Sequence, residues 1–267
     1  TCALPISAPT FAEYEQAALK SGSEAVFFEL KEDTGFGLNL DELISALDED
    51  VDCIILCNPN NPTSTLAGRD ELFKLVKSAV VKGIYVIIDE AFIELTSDGN
   101  ANSMAGYVKE FDNLYIIRAF TKVFAMPGIR LGYGLGGDHI REAMRAAKPP
   151  WTVNSFACRA GILLSEEDYL RRTRLWLQEE KEWLYDQLRR FECLKVFEPQ
   201  TNFMLVKILR PVLDSSMLAE RMAHKGILIR DASNFRFLDE RFIRLAVKDR
   251  DKNVKLIDAL TEVLDEE

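Results

Sequence analysis

Cys53-Ile-Ile-Leu-Cys-Asn-Pro-Asn-Asn-Pro-Thr63 joins a continuous apolar run to a loop of asparagines and prolines. An unbroken run, rather than an alternating one, predicts a parallel strand covered on both faces. The loop then lies at the strand's C-terminal end, the edge at which open α/β sheets place ligands. A plain Asn/Pro turn is the other reading. The loop feeds a helix predicted over 69–82. Gly83-Ile-Tyr-Val-Ile-Ile-Asp-Glu-Ala-Phe92 then repeats the theme: an apolar run leads straight to Asp89-Glu90. A carboxylate at the tip of a buried strand is costly unless paired. A cationic ring nitrogen is one partner that would satisfy it, and capping of the next segment is another. Strand, helix, strand in this order predicts an α/β fold with a mostly parallel, helix-covered sheet.

Downstream, Leu114-Tyr-Ile-Ile117 reads as a further buried strand, and Leu131–Leu135, broken by Gly132 and Gly134, as another. Between them lies Arg118-Ala-Phe-Thr-Lys-Val-Phe-Ala-Met-Pro-Gly-Ile-Arg130. Its lysine, Lys122, stands among apolar residues, where loss of solvation disfavours the ammonium form. A free amine can attack an aldehyde. Arg130 remains charged and matches a phosphate through its planar fork. An amine and a phosphate clamp on one loop suggest pyridoxal phosphate (PLP). A solvated lysine on an ordinary turn is the plain alternative.

Upstream, Thr1 to Ser7 do not lead clearly into the segment from Ala8 onward, which points to a fragment. Thr10, with Glu13 three residues on, has capping-box spacing for a helix. Phe11 and Tyr14 share a face of that helix, either as core or, for Phe11, flat against a bound ring. Ala25–Leu30 reads as a strand, and 39–47 as a short amphipathic helix with Asn39 as N-cap. A helix is predicted over 138–147, then a break at Pro149-Pro150, which divides the chain into 1–150 and 151–267. The second part begins with one long helix over 155–191. Short runs come next at 194–197, 203–208, 227–229 and 242–247, with helices over 215–224 and 251–264. This predicts a smaller α+β unit with an antiparallel sheet. Arg244 lies inside an apolar run and needs an anionic partner. A bound carboxylate would serve, as would an internal salt bridge. Arg230 ends the run before it.

Composition narrows the partners. The 267 residues are 48% hydrophobic and 28% charged, with a net charge of −10, an ordinary globular balance. Nucleic acid or an anionic membrane would need a strong local basic patch against that field. The best basic clusters, Arg171-Arg172-Thr-Arg174 and Arg189-Arg190, are laced with glutamates and read as solvated helix faces. Five cysteines without a CxxC and two histidines support neither a disulfide framework nor a zinc site. A reducing cytoplasm fits. No apolar run reaches the ~18 residues of a membrane span.

Together, Asn58-Pro-Asn-Asn-Pro-Thr63, Ile87-Ile-Asp-Glu-Ala-Phe92, Thr121-Lys122 with Gly128-Ile-Arg130, and Phe242-Ile-Arg244 resemble, in order and spacing, the class I/II aminotransferase family of fold-type I PLP enzymes. The resemblance covers nearly the whole chain from Ala8. It implies that Lys122 holds the cofactor aldehyde covalently and that Asp89 pairs with the pyridinium nitrogen. It further implies that Asn61 donates to the phenolic oxygen, Phe11 stacks on the ring, and Thr121 and Arg130 hold the cofactor phosphate. Arg244 would hold the substrate carboxylate and Arg230 a substrate phosphate. Within the family, Thr121-Lys with Met126-Pro-Gly, Pro150-Trp-Thr-Val-Asn154, Gly226–Asn234 and Asp89–Phe92 are most similar to members that decarboxylate a phosphorylated amino acid in the cobalamin pathway. Related aminotransferases are the alternative, and a non-catalytic relative of the fold a remoter one. Two departures stand out: Phe92 replaces a tyrosine common in the family, and Ala119 replaces a phosphate-binding serine or threonine. The resemblance also implies a homodimer, and it places the family's phosphate-cradling glycine loop before the first strand read here, so that an N-terminal part is missing.

Overall fold

The computed structural model describes residues 3–48, 50–164 and 167–265. In chain order the elements are β1 (Ala3–Ala8), α1 (Glu13–Lys20), β2 (Glu24–Glu29), α2 (Leu40–Ser45), β3 (Cys53–Cys57), α3 (Arg69–Val81), β4 (Tyr85–Asp89), β5 (Leu114–Ala119), α4 (Phe120–Val123), β6 (Gly132–Gly136) and α5 (Asp138–Ala147). They continue with α6 (Ser155–Leu163), α7 (Glu167–Leu188), β7 (Leu194–Val196), β8 (Phe203–Ile208), α8 (Ser215–His224), β9 (Arg230–Asp231), β10 (Phe242–Ala246) and α9 (Arg250–Asp265).

Among the described residues the first sheet has the order β2-β1-β3-β4-β5-β6. All its pairs are parallel except β5 with β6. That exception comes from the connection: β5 returns through the short α4 loop, with no crossover helix to reverse the chain. Gly134 in β6 leaves room for Tyr115 of the neighbouring strand, whose hydroxyl a Cβ there would meet at 1.8 Å and displace. On the sheet, α3 lays Leu72, Leu75, Val76 and Ala79 against Ile54, Leu56, Val86, Ile88, Leu114 and Ile116. The spacing of the helix residues is that of one helical face and that of the strand residues alternates, so each element turns its apolar side inward. Asn39 caps α2 by accepting from the Glu42 N–H at 3.2 Å.

The second sheet, order β7-β8-β10-β9, is antiparallel throughout. Its core joins Met204, Val206, Ile243 and Leu245 to Leu177 and Leu184 of α7 and Leu260 of α9. The two sheets meet through an aromatic cluster in which Phe36 packs on Phe197 at 5.0 Å and on Phe242 at 6.0 Å between ring centroids. Polar contacts join them as well. The Gln200 N–H donates to the Ser64 carbonyl at 3.0 Å, and the Thr201 N–H to Ser64 Oγ at 2.9 Å.

Four sequence expectations change. The segment before Ala8 forms β1, which pairs in parallel with both β2 and β3. Its pattern is interrupted by Pro5, as those of β2 and β3 are not. Thr10 is not a helix cap: α1 begins after Ala12, and the Thr10 hydroxyl donates to Asn60 Oδ1 at 2.7 Å. The predicted long helix over 155–191 is divided, α6 ending before Leu164, whose ψ of 34° leaves the helical range. Residues 227–229 are not a strand; pairing to β10 begins at Arg230.

Candidate active site

The parallel strands β3 and β4 end side by side, with Cys57 opposite Asp89. The loop after β3 starts with the Asn58 N–H donating to the Asp89 carbonyl at 2.8 Å. The Asp89 side chain therefore emerges beside the Asn-Pro loop, at the C-terminal edge of the sheet. Its Oδ2 accepts the Tyr14 hydroxyl at 2.7 Å and its Oδ1 the Ala91 N–H at 2.9 Å. The carboxylate thus caps the segment after β4, one of the two roles its position allowed, while Oδ2 faces the start of α1. Burial raises its pKa, and Tyr14, Ala91 and the charge of Lys122 work against that rise. Among the described residues no lysine or arginine lies within ion-pair distance of it.

Tyr14 is the residue here that the sequence did not single out for function. Burial, and after it the proximity of Cys57 and Asp89, pushes its phenol well above the ordinary value, so it stays protonated and donates. Its ring meets Phe11 edge-on at 5.8 Å. The spacing of Phe11 and Tyr14 was the available signal, but it looks the same for two core aromatics. The Cys57 thiol beside them is pushed up to about 12 by burial and then by Asp89. It remains neutral and packs as a small apolar group.

Lys122 departs from its expected surroundings: it is exposed. The apolar residues around it in sequence face elsewhere. Val123 is buried in the core of the second sheet, and Phe124 stacks on Tyr169 of α7 at 5.4 Å. The single turn of α4 places Lys122 on the opposite side, where its Nζ stands 5.3 Å over the Phe92 ring. Phe92 packs on Phe203 at 5.0 Å, and the Arg244 guanidinium lies 5.1 Å over the other aromatic of that pair, Phe203. Arg244 also donates to Asn61 Oδ1. Lys122, Phe92, Phe203, Arg244 and Asn61 therefore form one connected set.

Arg244 has no carboxylate within ion-pair distance among the described residues; what stands opposite it in the β9/β10 register is Arg230. Burial and then the charge of Arg230 lower the Arg244 pKa. Arg230 donates to Asn234 Oδ1 at 3.0 Å. Asn234, Ser233 and Arg236 line a cleft of about 480 Å³ whose other wall holds Thr10 and Phe11. Arg130 stands apart from this set: its backbone is left-handed, φ 58°, its side chain is exposed, and it donates to the Pro127 carbonyl at 2.9 Å. Thr121, one residue before Lys122, is partly buried.

These residues fit pyridoxal phosphate. A half-buried carboxylate without a cationic partner suits a pyridinium nitrogen, and an amine whose nearest described partner is an aromatic face is free to take an aldehyde. The architecture is that of a fold-type I PLP enzyme. The chain belongs to the aminotransferase class I and II family, whose model matches residues 1–260, and it is an enzyme of that PLP-dependent kind. It is 43% identical over 262 residues to a Caldanaerobacter subterraneus subsp. tengcongensis protein provisionally named a threonine-phosphate decarboxylase, covering 98% of this chain and 71% of the relative. It is 35% identical over 261 residues to the threonine-phosphate decarboxylase of Salmonella typhimurium, covering 97% and 70%. Among solved structures, the histidinol-phosphate aminotransferase of Clostridium acetobutylicum superposes with a TM-score of 0.93 at 36% identity, covering 100% of this chain and 79% of that one.

Proposed function

We propose that the chain decarboxylates L-threonine O-3-phosphate to (R)-1-amino-2-propanol O-2-phosphate, a reaction of cobalamin biosynthesis. The observation that carries this reading is the Arg244–Arg230 pair. Like charges directly opposite across two strands are destabilising, and among the described residues neither guanidinium has a carboxylate within ion-pair distance to offset the repulsion. A substrate bearing both a carboxylate and a phosphate supplies two anions to the two cations. The two decarboxylase relatives support the same reading.

Pyridoxal phosphate, when bound, supplies an electron sink for the pair released at the substrate Cα. Asp89 would keep the ring nitrogen protonated, which would make that sink effective. Asn61 donates from its amide to the phenolic oxygen while its Oδ1 is engaged by Arg244. Phe11 would cover a ring face, and Thr121 and Arg130 would hold the cofactor phosphate. Arg244 would hold the substrate carboxylate and Arg230 its phosphate, and the two contacts together would fix the orientation of the substrate Cα. That orientation selects the bond that breaks. If the bond to the carboxylate is the one selected, carbon dioxide would leave and Lys122, as the ammonium, would deliver a proton to Cα. If the Cα–H bond is selected, Lys122, as the free amine, would instead remove the proton, as in transamination.

The histidinol-phosphate aminotransferase likeness supports the second reading, and the products separate the two. The chain loaded with PLP and given L-threonine O-3-phosphate is expected to release carbon dioxide without consuming 2-oxoglutarate. Glutamate formed from 2-oxoglutarate and histidinol phosphate, with no carbon dioxide from the threonine phosphate, would replace the decarboxylase by the aminotransferase. The reading further includes a homodimer in the cytoplasm. Trp151, Phe156, Ile162 and Leu163, between 71% and 96% exposed, support the pairing of two chains through this stretch.

A further inference from the structure

Asp89 closes β4, and its neighbour Glu90 continues the ladder by donating its N–H to the Ile117 carbonyl at 2.8 Å. Successive side chains of an extended chain point to opposite faces, so Glu90 lies behind the edge that Asp89 faces. There it is wholly buried. It accepts from Arg118 Nε at 2.8 Å, from the Ser103 hydroxyl at 2.7 Å and from the Met104 N–H at 2.7 Å. Arg118 is 4% exposed. It donates onward to Glu94 Oε1 at 3.2 Å, Asn100 Oδ1 at 3.0 Å and Ser103 Oγ at 2.8 Å. Arg118 stands four residues before Lys122 on β5. One ion pair thus joins two neighbouring strands at the point where one delivers Asp89 and the other runs on to Lys122. It also ties down the segment from Glu90 to Met104, which carries Phe92.

Stability alone does not account for such a pair. Desolvating two charges offsets most of their attraction, and well-packed apolar replacements are often as stable or more so. An apolar contact would not, however, set direction: it tolerates sliding, whereas the hydrogen bonds here admit one register. We propose that Glu90 and Arg118, bridged by Ser103, form a positioning clamp that holds Asp89, Phe92 and Lys122 in mutual register across β4 and β5, so that the carboxylate and the amine meet one bound cofactor. This rests on the roles given above to Asp89 and Lys122.

The test removes both charges of the Glu90–Arg118 pair, as Glu90→Gln with Arg118→Met, and compares it with the milder Ser103→Ala. Both are made in the full chain. Thermal melting, PLP affinity by quenching of tryptophan fluorescence, and kcat and KM are measured. The clamp predicts a double variant that melts near the unsubstituted chain yet binds PLP more weakly. Its kcat should fall roughly a hundredfold, the effect of an ångström-scale misplacement, while KM changes little. Ser103→Ala should lose less, in the same direction, and it decides the matter if the double variant does not fold. Variants that melt lower but bind PLP and turn over like the unsubstituted chain would reduce the pair to a structural role and overturn the clamp. If the unsubstituted chain itself fails to bind PLP, the roles of Asp89 and Lys122 fail first, which the same titration reveals independently of the variants.

Discussion

Asp89 carries opposite demands. A bound ring cation needs it ionised, yet burial raises its pKa. An acid whose pKa is higher folded than unfolded binds an extra proton in the folded state, so its cost appears as pH rises through that window. Asp89→Asn is therefore expected to raise the melting temperature of the cofactor-free chain at pH 7. It should give no gain below the ordinary carboxylate range, and it should weaken PLP binding; melting curves at the two pH values check the sign. Tyr14→Phe removes a hydrogen bond to a charged group, a contact of ~1.5–3 kcal/mol. PLP affinity should drop roughly tenfold or more, and the acid limb of its pH dependence should move upward, because Asp89 then takes up its proton at higher pH. An unchanged acid limb would remove Tyr14 from the site. Arg230→Ala is expected to raise KM for L-threonine O-3-phosphate by roughly ten- to a hundredfold, from the same size of charge-assisted contact. It should leave PLP affinity unchanged, since Arg230 is placed on the substrate alone.

At the scale of elements, the apolar runs were the most legible feature. The runs around β3, β4 and β8 and the periodic faces of α3, α5 and α8 reflect local pattern, because burial of one face is a property each segment carries by itself. Leu75, wholly buried between α3 and the sheet, illustrates the energetics. Leu75→Ala should destabilise the chain by ~2–5 kcal/mol, read as a lower urea midpoint with an unchanged slope. What escaped the pattern was punctuation. The break at Leu164 lies in a stretch whose helical periodicity is good on both sides, with no proline or glycine at the junction. β9 is two residues long and exists only because β10 lies beside it. The Thr10 hydroxyl has a local capping option and a distant partner in Asn60, and only the fold decides that the distant one wins.

At the scale of the molecule, the two sheets are joined by Ser64, by the Phe36 cluster and by the ion pair of Arg236 with Glu15 at 2.5 Å. The proposed substrate arginines sit on the second sheet, Asp89 on the first and Lys122 on α4 just after β5, so the proposed reaction depends on the join. The exposed apolar stretch around Phe156 belongs to this scale as well. Light scattering is expected to give twice the chain mass, and Phe156→Asp should shift the protein towards the single-chain mass. A monomer before substitution would remove the pairing.

The chain by itself determined the α/β class, the strand that ends in Asp89, the loop that carries Lys122, and the arginine within β10, since each depends on residues adjacent in sequence. The tertiary structure alone decided what those groups face. It turned Lys122 outward by burying Val123 and Phe124 against α7, and brought Tyr14 to Asp89 across 75 positions of chain. It also set Arg230 opposite Arg244 in neighbouring strands. Such contacts join residues far apart along the chain, and their partners are chosen by the packing of whole elements, which no local spacing records.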